Sequence, residues 1–551
     1  MIFEDDYTYI TRKIRSDSAF VLLERDIDLN NPVSIRNDSL VIDGNGYTIN
    51  ANGKTRIFNI TGGNIVLKNF IFKNGNASAD IPDDGGFGGV IRNESHLKLE
   101  NCLFFNNEAE KDGNDIINHG ELEISDCMFS RNSSNHSIFN LGSIKISENQ
   151  FESIKPLING GEVSLLSESP KFESVKVETV PNFKYLDDLI HGGEKTICLN
   201  SDIYLASNEA YDYIHGIPID VDDITIKGNG HAVDADFLTR IFSVSGKNIT
   251  IENLNFVNGY SSSRSKEEVP DSNYRTYGST RGYGGAIYNR GELKLIDCSF
   301  SQNNSLSFGG AIANMYGLLK IMDCNFSYNS AYNGGAIFSK SKLEIENTAF
   351  SHNGGPLYER ENLQKPALSF KDYTRYGGAI LNEGQLVMSN CDFKYNYARH
   401  GGAINNFYSG DLKASVCMFS RNASKFVGAI NNYKGEIEIA DSAFINNIPL
   451  KEWGRDSDIF DYFDVHIYAG RKPQICIGAI RNEGVANLNG CKFISDENFP
   501  KSIENVKRCL LNINESYFSR TRRDEIKNRG YFKDNDCVFG CDEFLRKEMK
   551  L

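Results

Sequence analysis

The sequence GGAIYNRGELKLIDCSFSQN at residues 284–303 decides the fold, because copies of it return along the chain at a short and regular spacing. The shared pattern is G-G-A-I-x-N-x-G-x-L-x-I-x-x-C-x-F-x-x-N. It returns about every 25 residues, and such a fixed short period is the sequence signature of a solenoid. Close or looser copies occupy residues 88–107, 309–329, 377–396, 401–422 and 427–447.

Apolar and polar residues alternate inside each copy, as in Leu293, Lys294 and Leu295. This period of two is typical of a half-buried β-strand. A coil of about 25 residues is too short for a helical crossover between parallel strands, so each coil should contain a few short strands joined by bends. Each strand would pair with the equivalent strand of the next coil, and parallel connections are right-handed. The sequence therefore predicts an all-β fold, a right-handed parallel β-helix.

Two slots of the repeat have separate structural explanations. The Gly pair suits a bend that needs a positive φ or a close approach of two backbones. An Asn recurs shortly after the Ile, for example at Asn289, Asn314, Asn405 and Asn431. Stacked amides at one bend can hydrogen-bond along the solenoid axis, so we interpret these residues as an inward ladder. A polar groove for sugars is the alternative interpretation.

The cysteines follow the repeat. Of the 12 cysteines, eight occupy one slot two residues before a Phe, and other coils place Thr348, Ser442 or Ser516 there. Exchange with small residues indicates a packing position and free thiols, although disulfides between adjacent coils are an alternative at that spacing. No second Cys-x-x-Cys motif and no His cluster with zinc-ligand spacing is present, so neither a metal nor another cofactor is predicted.

A second level of repetition sets the domain boundaries. Three segments return in the same order, because residues 43–46, 56–58 and 64–74 correspond to residues 227–230, 240–242 and 248–258. This tandem duplication predicts a first β-helix module with an N-terminal cap at residues 1–166. A second, longer module with its own cap is predicted at residues 183–551. Residues 167–182 are polar, contain Pro170 and Pro181 and lack the repeat, which favours a linker.

Composition narrows the classes of partner. The formal net charge of −14 disfavours nucleic acid and anionic membranes as partners. No apolar run is long enough for a membrane span, and residues 1–14 lack the pattern of a signal peptide. The chain is therefore expected to be either cytoplasmic or a mature or truncated form of an exported protein. Its sequence gives no indication of the oligomeric state.

Four long insertions interrupt the same slot of the repeat, at residues 75–87, 259–283, 354–376 and 448–476. Equivalent slots stack on one side of a solenoid, so the three insertions of the second module should project from a common face. They concentrate Tyr, Arg and the single Trp of the chain at Tyr274, Arg275, Tyr277, Tyr283, Tyr373, Arg375, Tyr376, Trp453, Tyr462, His466 and Tyr468. These residues are the predicted ligand-binding surface, for glycans or a partner protein. Alternatively, the insertions cover exposed strand edges.

The G-G-A-I-x-N and C-x-F repeats, with the opening D-G-N-G…R-I-F…I-x-N-x-x-F-x-N-G from residue 43, resemble the β-helix adhesin-like surface proteins of methanogenic archaea. The G-G-A-I phrase also resembles chlamydial polymorphic outer-membrane proteins. This resemblance extends over nearly the whole chain. It implies an extracellular or cell-surface protein that adheres to a glycan or to a cell-surface partner. The scaffold alone does not define the function.

An enzyme is the alternative, because polysaccharide lyases and glycoside hydrolases also use β-helices. Their chemistry needs a pair of carboxylates across a sugar, or a carboxylate-bound Ca²⁺ beside a base. The candidate cluster comprises Asp456, Asp458, Asp461 and Asp464, with His466 nearby. Glu123, Glu344 and Glu438 face Lys145, Lys320 and Lys413 in adjacent coils, which predicts a mixed solvated face. The predicted function is therefore a non-catalytic, adhesin-like binding protein.

Overall fold

The structure is a right-handed parallel β-helix, and this confirms the predicted fold class. It is a computed structural model. It describes residues 4–16, 18–78, 86–130, 135–147, 149–151, 157–165, 177–261, 282–355, 374–449, 477–495, 501–521 and 525–541.

Each coil contributes one strand to each of three parallel sheets. The Ile-x-Asn segment forms a strand of the Asn sheet, such as Ile312–Asn314. The alternating segment forms the long-strand sheet, such as Leu318–Met322, and the C-x-F segment forms the Phe sheet, such as Asn325–Ser327. Equivalent residues pair directly, with Ile312 opposite Ile287 in one neighbouring coil and Ile337 in the other. Each slot of the repeat therefore stacks into a row along the axis.

The first compact unit comprises Met1–Lys184 and Tyr204–Tyr211. Its long-strand sheet contains Phe20–Leu22, Ser39–Asp43, Asn64–Lys68, His96–Glu100, Glu121–Ser125, Ser143–Ser147 and Glu162–Leu165. Its Asn sheet contains Val33–Ile35, Phe58–Ile60, Ile91–Asn93, Ile116–Asn118, Ile138–Asn140, Leu157–Asn159 and Val177–Thr179. Its Phe sheet contains Ile27–Asp28, Thr48–Asn50, Ile71–Lys73, Leu103–Phe105, Met128–Ser130 and Gln150–Phe151, and a further pair of strands is Asn76–Ala77 and Glu108–Ala109.

The second compact unit comprises Tyr185–Ile203 and Asp212–Leu551. Its long-strand sheet contains Thr196–Cys198, Thr225–Lys227, Ile249–Glu252, Glu292–Ile296, Leu318–Met322, Lys342–Glu346, Gln385–Ser389, Asp411–Ser415, Glu436–Ala440, Val485–Asn489, Leu510–Asn514 and Tyr531–Asn535. Its Asn sheet contains Ile217–Ile219, Phe242–Val244, Ile287–Asn289, Ile312–Asn314, Ile337–Ser339, Ile380–Asn382, Ile404–Phe407, Ile430–Tyr433, Ile477–Asn482, Lys501–Asn505 and Ile526–Asn528.

The Phe sheet of the second unit contains Ala232–Asp234, Asn255–Val257, Ser299–Ser301, Asn325–Ser327, Ala349–Ser351, Asp392–Lys394, Met418–Ser420, Ala443–Ile445, Lys492–Ile494, Tyr517–Phe518 and Val538–Phe539. Two small sheets contain Tyr260–Ser261, Asn304–Phe308 and Ser330–Asn333, and Tyr397–Ala398, Ala423–Ser424 and Ile448–Pro449. The remaining short elements are the strand Ile203–Tyr204 and the 3-10 helix Ser207–Glu209.

A short helix precedes each set of coils, at Asp6–Ile14 and Phe183–His191, where the sequence predicts capping elements. The first helix begins at a side-chain cap, since the backbone N–H of Thr8 donates to Asp5 Oδ1 at 2.9 Å. Ile10 and Ile14 of this helix join the core of the first unit. Within the interval predicted as a linker, Val177–Thr179 forms a strand paired with Leu157–Asn159. The module boundaries themselves stay predictions.

Stacked phenylalanines fill the interior of the second unit. Ring centroids of successive coils lie 4.4–5.0 Å apart and the rings are nearly parallel, through Phe256, Phe300, Phe326, Phe350, Phe393, Phe419, Phe444, Phe493, Phe518 and Phe539. The same slot thus supplies one continuous apolar column, and burial of each ring depends on both neighbouring coils.

The Gly pair performs the two roles predicted for it. Gly309 has φ +66°, a left-handed conformation that other residues adopt only with strain. Gly310 has an ordinary φ, but a Cβ there would overlap the carbonyl oxygen of Gly335 in the next coil. The first glycine therefore permits the bend, and the second permits the close approach of two coils.

The Asn ladder is present, with a correction to its register. Asn406 Nδ2 donates to Asn432 Oδ1 at 2.9 Å and to the carbonyl oxygens of Gly410 at 2.8 Å and Glu436 at 3.1 Å. In these coils two Asn residues follow each other, and the second of each pair occupies the ladder. The prediction was wrong for the first of each pair, Asn405 and Asn431, because they follow inward Ile residues and so lie on the outer face of the strand.

The stacked cysteines form no disulfide among the described residues. The backbone N–H of Cys298 donates to Cys324 Sγ at 3.4 Å, so the backbone of one coil contacts the thiol of the next. Burial raises the pKa of Cys491 to about 12, which disfavours its thiolate. Cys198 is exposed. Cysteine in this slot of the repeat therefore packs as a small apolar side chain.

Removing one amide from the ladder should destabilise the solenoid. Asn406→Ala leaves the carbonyls of Gly410 and Glu436 without their donor in a buried site. We expect the free energy of unfolding to fall by about 1–3 kcal/mol, measured by urea denaturation. The matched control is Asn325→Ala, whose side chain is exposed on the Phe sheet and should change stability little. Equal stabilities of the two variants would contradict the structural role of the ladder.

Thiol reactivity should separate the buried cysteines from Cys198. In the native protein, a thiol reagent should modify Cys198 rapidly, and Cys198→Ser should remove that fast phase. After denaturation without reductant, most of the 12 cysteines should react. A thiol count near zero in the denatured protein would instead show that adjacent coils are cross-linked.

Candidate binding site on the Asn sheet

Three of the predicted ligand-binding residues, Tyr283, Arg375 and Tyr376, belong to the described part of the chain. The others lie outside the described residues and stay predictions, namely Tyr274, Arg275, Tyr277, Tyr373, Trp453, Tyr462, His466 and Tyr468. The acidic cluster considered for catalysis also lies outside, at Asp456, Asp458, Asp461 and Asp464.

Carboxylates on the long-strand sheet are paired with cations, as predicted for a mixed solvated face. Three ion pairs join adjacent coils at 2.9, 3.2 and 3.0 Å, namely Lys145–Glu123, Lys320–Glu344 and Lys413–Glu438. These exposed pairs alternate in charge along the sheet and contribute little to stability individually.

The outer face of the Asn sheet carries an apolar cluster that is separate from the interior core. It contains Tyr288, Ala313, Phe338 and Leu381, one from each of four successive coils. Tyr283 and Tyr376 pack against this cluster from the preceding bend, together with Phe308, Met315 and Phe407. Two residues predicted from the sequence, Tyr283 and Tyr376, therefore lie on one face. The row of apolar side chains that they contact was not predicted from the repeat pattern.

The apolar row changes to amides in the next two coils. Asn405 and Asn431 occupy the positions that follow Leu381 in the register. Asn431 Nδ2 donates to Asn405 Oδ1 at 2.6 Å, and both residues are at most 2% exposed. Within the described part of the chain, Asn405 Nδ2 and Asn431 Oδ1 have no hydrogen-bond partner. An unused donor and an unused acceptor therefore lie at a buried position, which is rare in native proteins.

Aromatic side chains flank this amide pair on both sides. Phe407 and Tyr433 lie two residues further along the same strands, hence on the same face, and their rings stack at 5.2 Å. His400 and Phe426, from the preceding bends, stack at 4.6 Å. We call Asn405, Asn431, His400, Phe407, Phe426 and Tyr433 the amide–aromatic patch.

Cations border the patch in three successive coils. Arg375, Arg399 and Lys425 each precede the aromatic residue at the bend by one position, and we call them the basic row. The Arg375 guanidinium lies 4.9 Å from the ring centroid of Tyr376, and the Arg399 guanidinium lies 5.9 Å from that of Phe426. In the described residues neither of these two arginines forms an ion pair, and both are exposed.

The basic row affects the protonation of His400. Burial, followed by the positive charges of Arg399, Arg481, Arg375 and Lys425, lowers the pKa of His400 to about 4. The imidazole is therefore neutral near pH 7. Arg481 differs from the basic row, because it forms ion pairs with Glu483 at 2.7 Å and Glu504 at 3.2 Å.

The chemistry of this surface suits binding. It offers half-buried aromatic rings, an amide donor and acceptor, and exposed guanidinium groups. Across the described ranges, no group of three or more His, Cys, Asp or Glu is placed to hold a metal ion. Sequence reasoning missed the amide pair, although the doublet Asn-Asn followed by an aromatic residue at Phe407 and Tyr433 marks it.

Comparison with known families supports a surface-protein interpretation. Residues 323–340 match the Chlamydia polymorphic membrane protein (Chlamydia_PMP) repeat. None of the curated proteins matches this chain in sequence. Neither helix in the described part of the chain is long and apolar enough to cross a membrane. The repeat match and the stacked parallel sheets together fit a β-helix surface protein.

The depressed pKa of His400 should make stability depend on pH. The unfolded chain titrates near pH 6.5 and the folded protein near pH 4, so the unfolded state binds the proton first as pH falls. The stabilisation from neutral His400 is therefore complete above about pH 6.5 and decreases toward about pH 4. The variant His400→Asn cannot titrate at this position. As the pH is lowered from about 7 to 5, the free energy of unfolding of the wild-type protein should therefore fall relative to that of the variant. A difference that does not depend on pH would contradict the low pKa.

Proposed function

We propose that this protein is a non-catalytic, adhesin-like surface protein that binds saccharides at the amide–aromatic patch. The repeat match at residues 323–340 and the parallel β-helix support the surface-protein part of this proposal. The binding part is supported by the contacts of the patch itself.

The observation that carries the proposal is the incompletely bonded amide pair. Asn405 retains a donor and Asn431 an acceptor, and a sugar hydroxyl can both accept and donate a hydrogen bond. A buried polar group without a partner costs about 1–3 kcal/mol. The coils just before these place Phe338 and Leu381 at the same slot, so the fold does not require an amide there. A hydroxyl-rich ligand would remove that cost.

The flanking rings support the same class of ligand. A sugar combines an apolar C–H face with polar edges, and aromatic side chains beside a few polar groups are the usual lining of such sites. Phe407, Phe426, His400 and Tyr433 are only half-buried. Their rotation would admit a ligand to the amide pair, since side-chain rearrangement is the common change on binding.

The insertions are proposed to extend this surface. Residues 356–373 join the described chain at Thr374, one position before the basic row, and residues 450–476 follow Pro449 in the coil that contains Tyr433. The aromatic residues predicted in these insertions would then add contacts to the same ligand, with the patch as the site's base.

Replacing the amide pair should separate binding from stability. In Asn405→Leu with Asn431→Leu, both partners become apolar at a slot where Leu381 is already tolerated. Such a replacement is near neutral or stabilising. We expect an unchanged or raised urea midpoint, with saccharide affinity weakened about 10-fold or more because two hydrogen bonds are lost. Affinity electrophoresis in gels containing dextran, xylan, homogalacturonan or dextran sulfate measures the binding.

The matched control uses a second stacked amide pair on the long-strand sheet. Asn512 Nδ2 donates to Asn487 Oδ1 at 2.8 Å, and the two strands that hold this pair, Val485–Asn489 and Leu510–Asn514, contain no aromatic residue. Asn487→Leu with Asn512→Leu should leave retardation in every gel unchanged. Saccharide binding that survives in the Asn405 and Asn431 double variant would move the site elsewhere, and no retardation of the wild-type protein in any gel would refute saccharide binding.

A further inference from the structure

The basic row is a stack of like charges. The backbone N–H of Arg399 donates to Thr374 O and that of His400 to Arg375 O, each at 2.9 Å, so successive coils place their cations side by side. Like charges directly opposite each other on neighbouring strands are destabilising. On the long-strand sheet Lys320 also lies opposite a lysine, Lys294, but Lys320 forms an ion pair with Glu344 at 3.2 Å. Lys145 and Lys413 likewise pair with a Glu of an adjacent coil, at 2.9 and 3.0 Å.

The surroundings do not neutralise the two arginines of the row. In the described residues, Arg375 and Arg399 have aromatic contacts and no carboxylate partner. The protein as a whole is acidic, with a net charge of −14, so carboxylates for pairing are abundant elsewhere. The two arginines beside the patch therefore carry positive charge with which an anionic ligand can pair.

We propose that the amide–aromatic patch and the basic row together bind an acidic polysaccharide, whose sugars carry carboxylate or sulfate groups. This inference rests on the saccharide binding proposed above and specifies its substrate class. Guanidinium groups match the geometry of these anions through paired N–H donors. Three coils at a spacing of about 4.8 Å form a row that suits successive charges of a polymer better than one monosaccharide.

The position of His400 agrees with this assignment. Its imidazole packs against the ring of Tyr376 at 5.2 Å and stacks on that of Phe426 at 4.6 Å. Burial, with the neighbouring cations second, lowers its pKa to about 4. An anion bound to Arg375, Arg399 and Lys425 would offset their repulsion of a protonated imidazole. Binding should therefore raise the pKa of His400.

The test uses polymers that differ only in charge. Dextran is compared with dextran sulfate, and fully methyl-esterified homogalacturonan with the unesterified form. Full-length wild-type protein should bind the acidic member of at least one pair more tightly than its neutral counterpart. A triple variant should weaken that binding roughly 3- to 100-fold, as expected for the loss of three exposed ion pairs. It combines Arg375→Gln, Arg399→Gln and Lys425→Gln.

The control variant removes the same charge from another surface. It combines Lys227→Gln, Lys247→Gln and Lys294→Gln, three residues on coils of the second unit that precede the patch. This variant should bind the acidic polymer like the wild type. Equal losses in both triple variants would show a general charge effect and would overturn the assignment to the basic row.

Nuclear magnetic resonance of the histidine ring measures the local effect. The His400 signal is identified by its loss in His400→Asn, and its pKa is measured with and without dextran sulfate, whose charge does not titrate in this range. A raised pKa supports anion binding at the row. An unchanged pKa in the saturated complex overturns it.

The two proposals fail differently. If neutral and acidic polymers bind equally and the Asn405 and Asn431 double variant loses both, saccharide binding holds and the acidic class is wrong. If none of these four polymers and no xylan binds, both proposals are wrong. Equal or tighter binding of polyglutamate or single-stranded DNA at the basic row would overturn the saccharide assignment in favour of another polyanion.

Discussion

Backbone pairing between successive coils is the constraint on which the rest of this molecule depends. Each parallel strand finds its hydrogen-bond partners in the coils on either side, so every residue lies directly over its equivalent, as Ile312 does over Ile287. The spacing of neighbouring strands is about 4.8 Å, close to the separation of stacked aromatic rings. The Phe column and the Asn ladder are consequences of this match, since any side chain that stacks well is repeated in the same slot.

The same pairing also repeats strained backbone conformations from coil to coil. The residue directly after most Phe-sheet strands adopts a positive φ, which Asn258 does with little strain. Tyr328, His352 and Tyr395 adopt the same conformation, at 55–56°, which is uncommon for large side chains. Their rings stack on each other at 5.0 and 5.2 Å. Contacts along the row thus offset strain within each coil.

Most of the scaffold could be predicted from sequence because its causes are local and repeated. The period of about 25 residues, the alternation in Leu293 to Leu295 and the Gly pair each express a backbone requirement that recurs in every coil. The ladder register was missed at Asn405 and Asn431, because one residue decides which face of a strand a side chain occupies. The amide–aromatic patch could not be predicted for a related reason. Its members are up to about 33 positions apart along the chain, and their proximity follows only from the stacking of two successive coils.

The outer face of the Asn sheet is built differently in the coils that precede the patch, and this difference explains where the patch lies. Through Tyr288, Ala313, Phe338 and Leu381 that face is closed by apolar packing, an arrangement that satisfies the sheet and leaves no polar group to bond. In the next two coils the same slot holds an amide pair with an unused donor and acceptor, beside three adjacent cations. Packing would favour neither feature, since each lowers stability compared with the preceding coils. A solenoid that repeats its stabilising contacts by register departs from them where another requirement acts, and here the two departures share one surface.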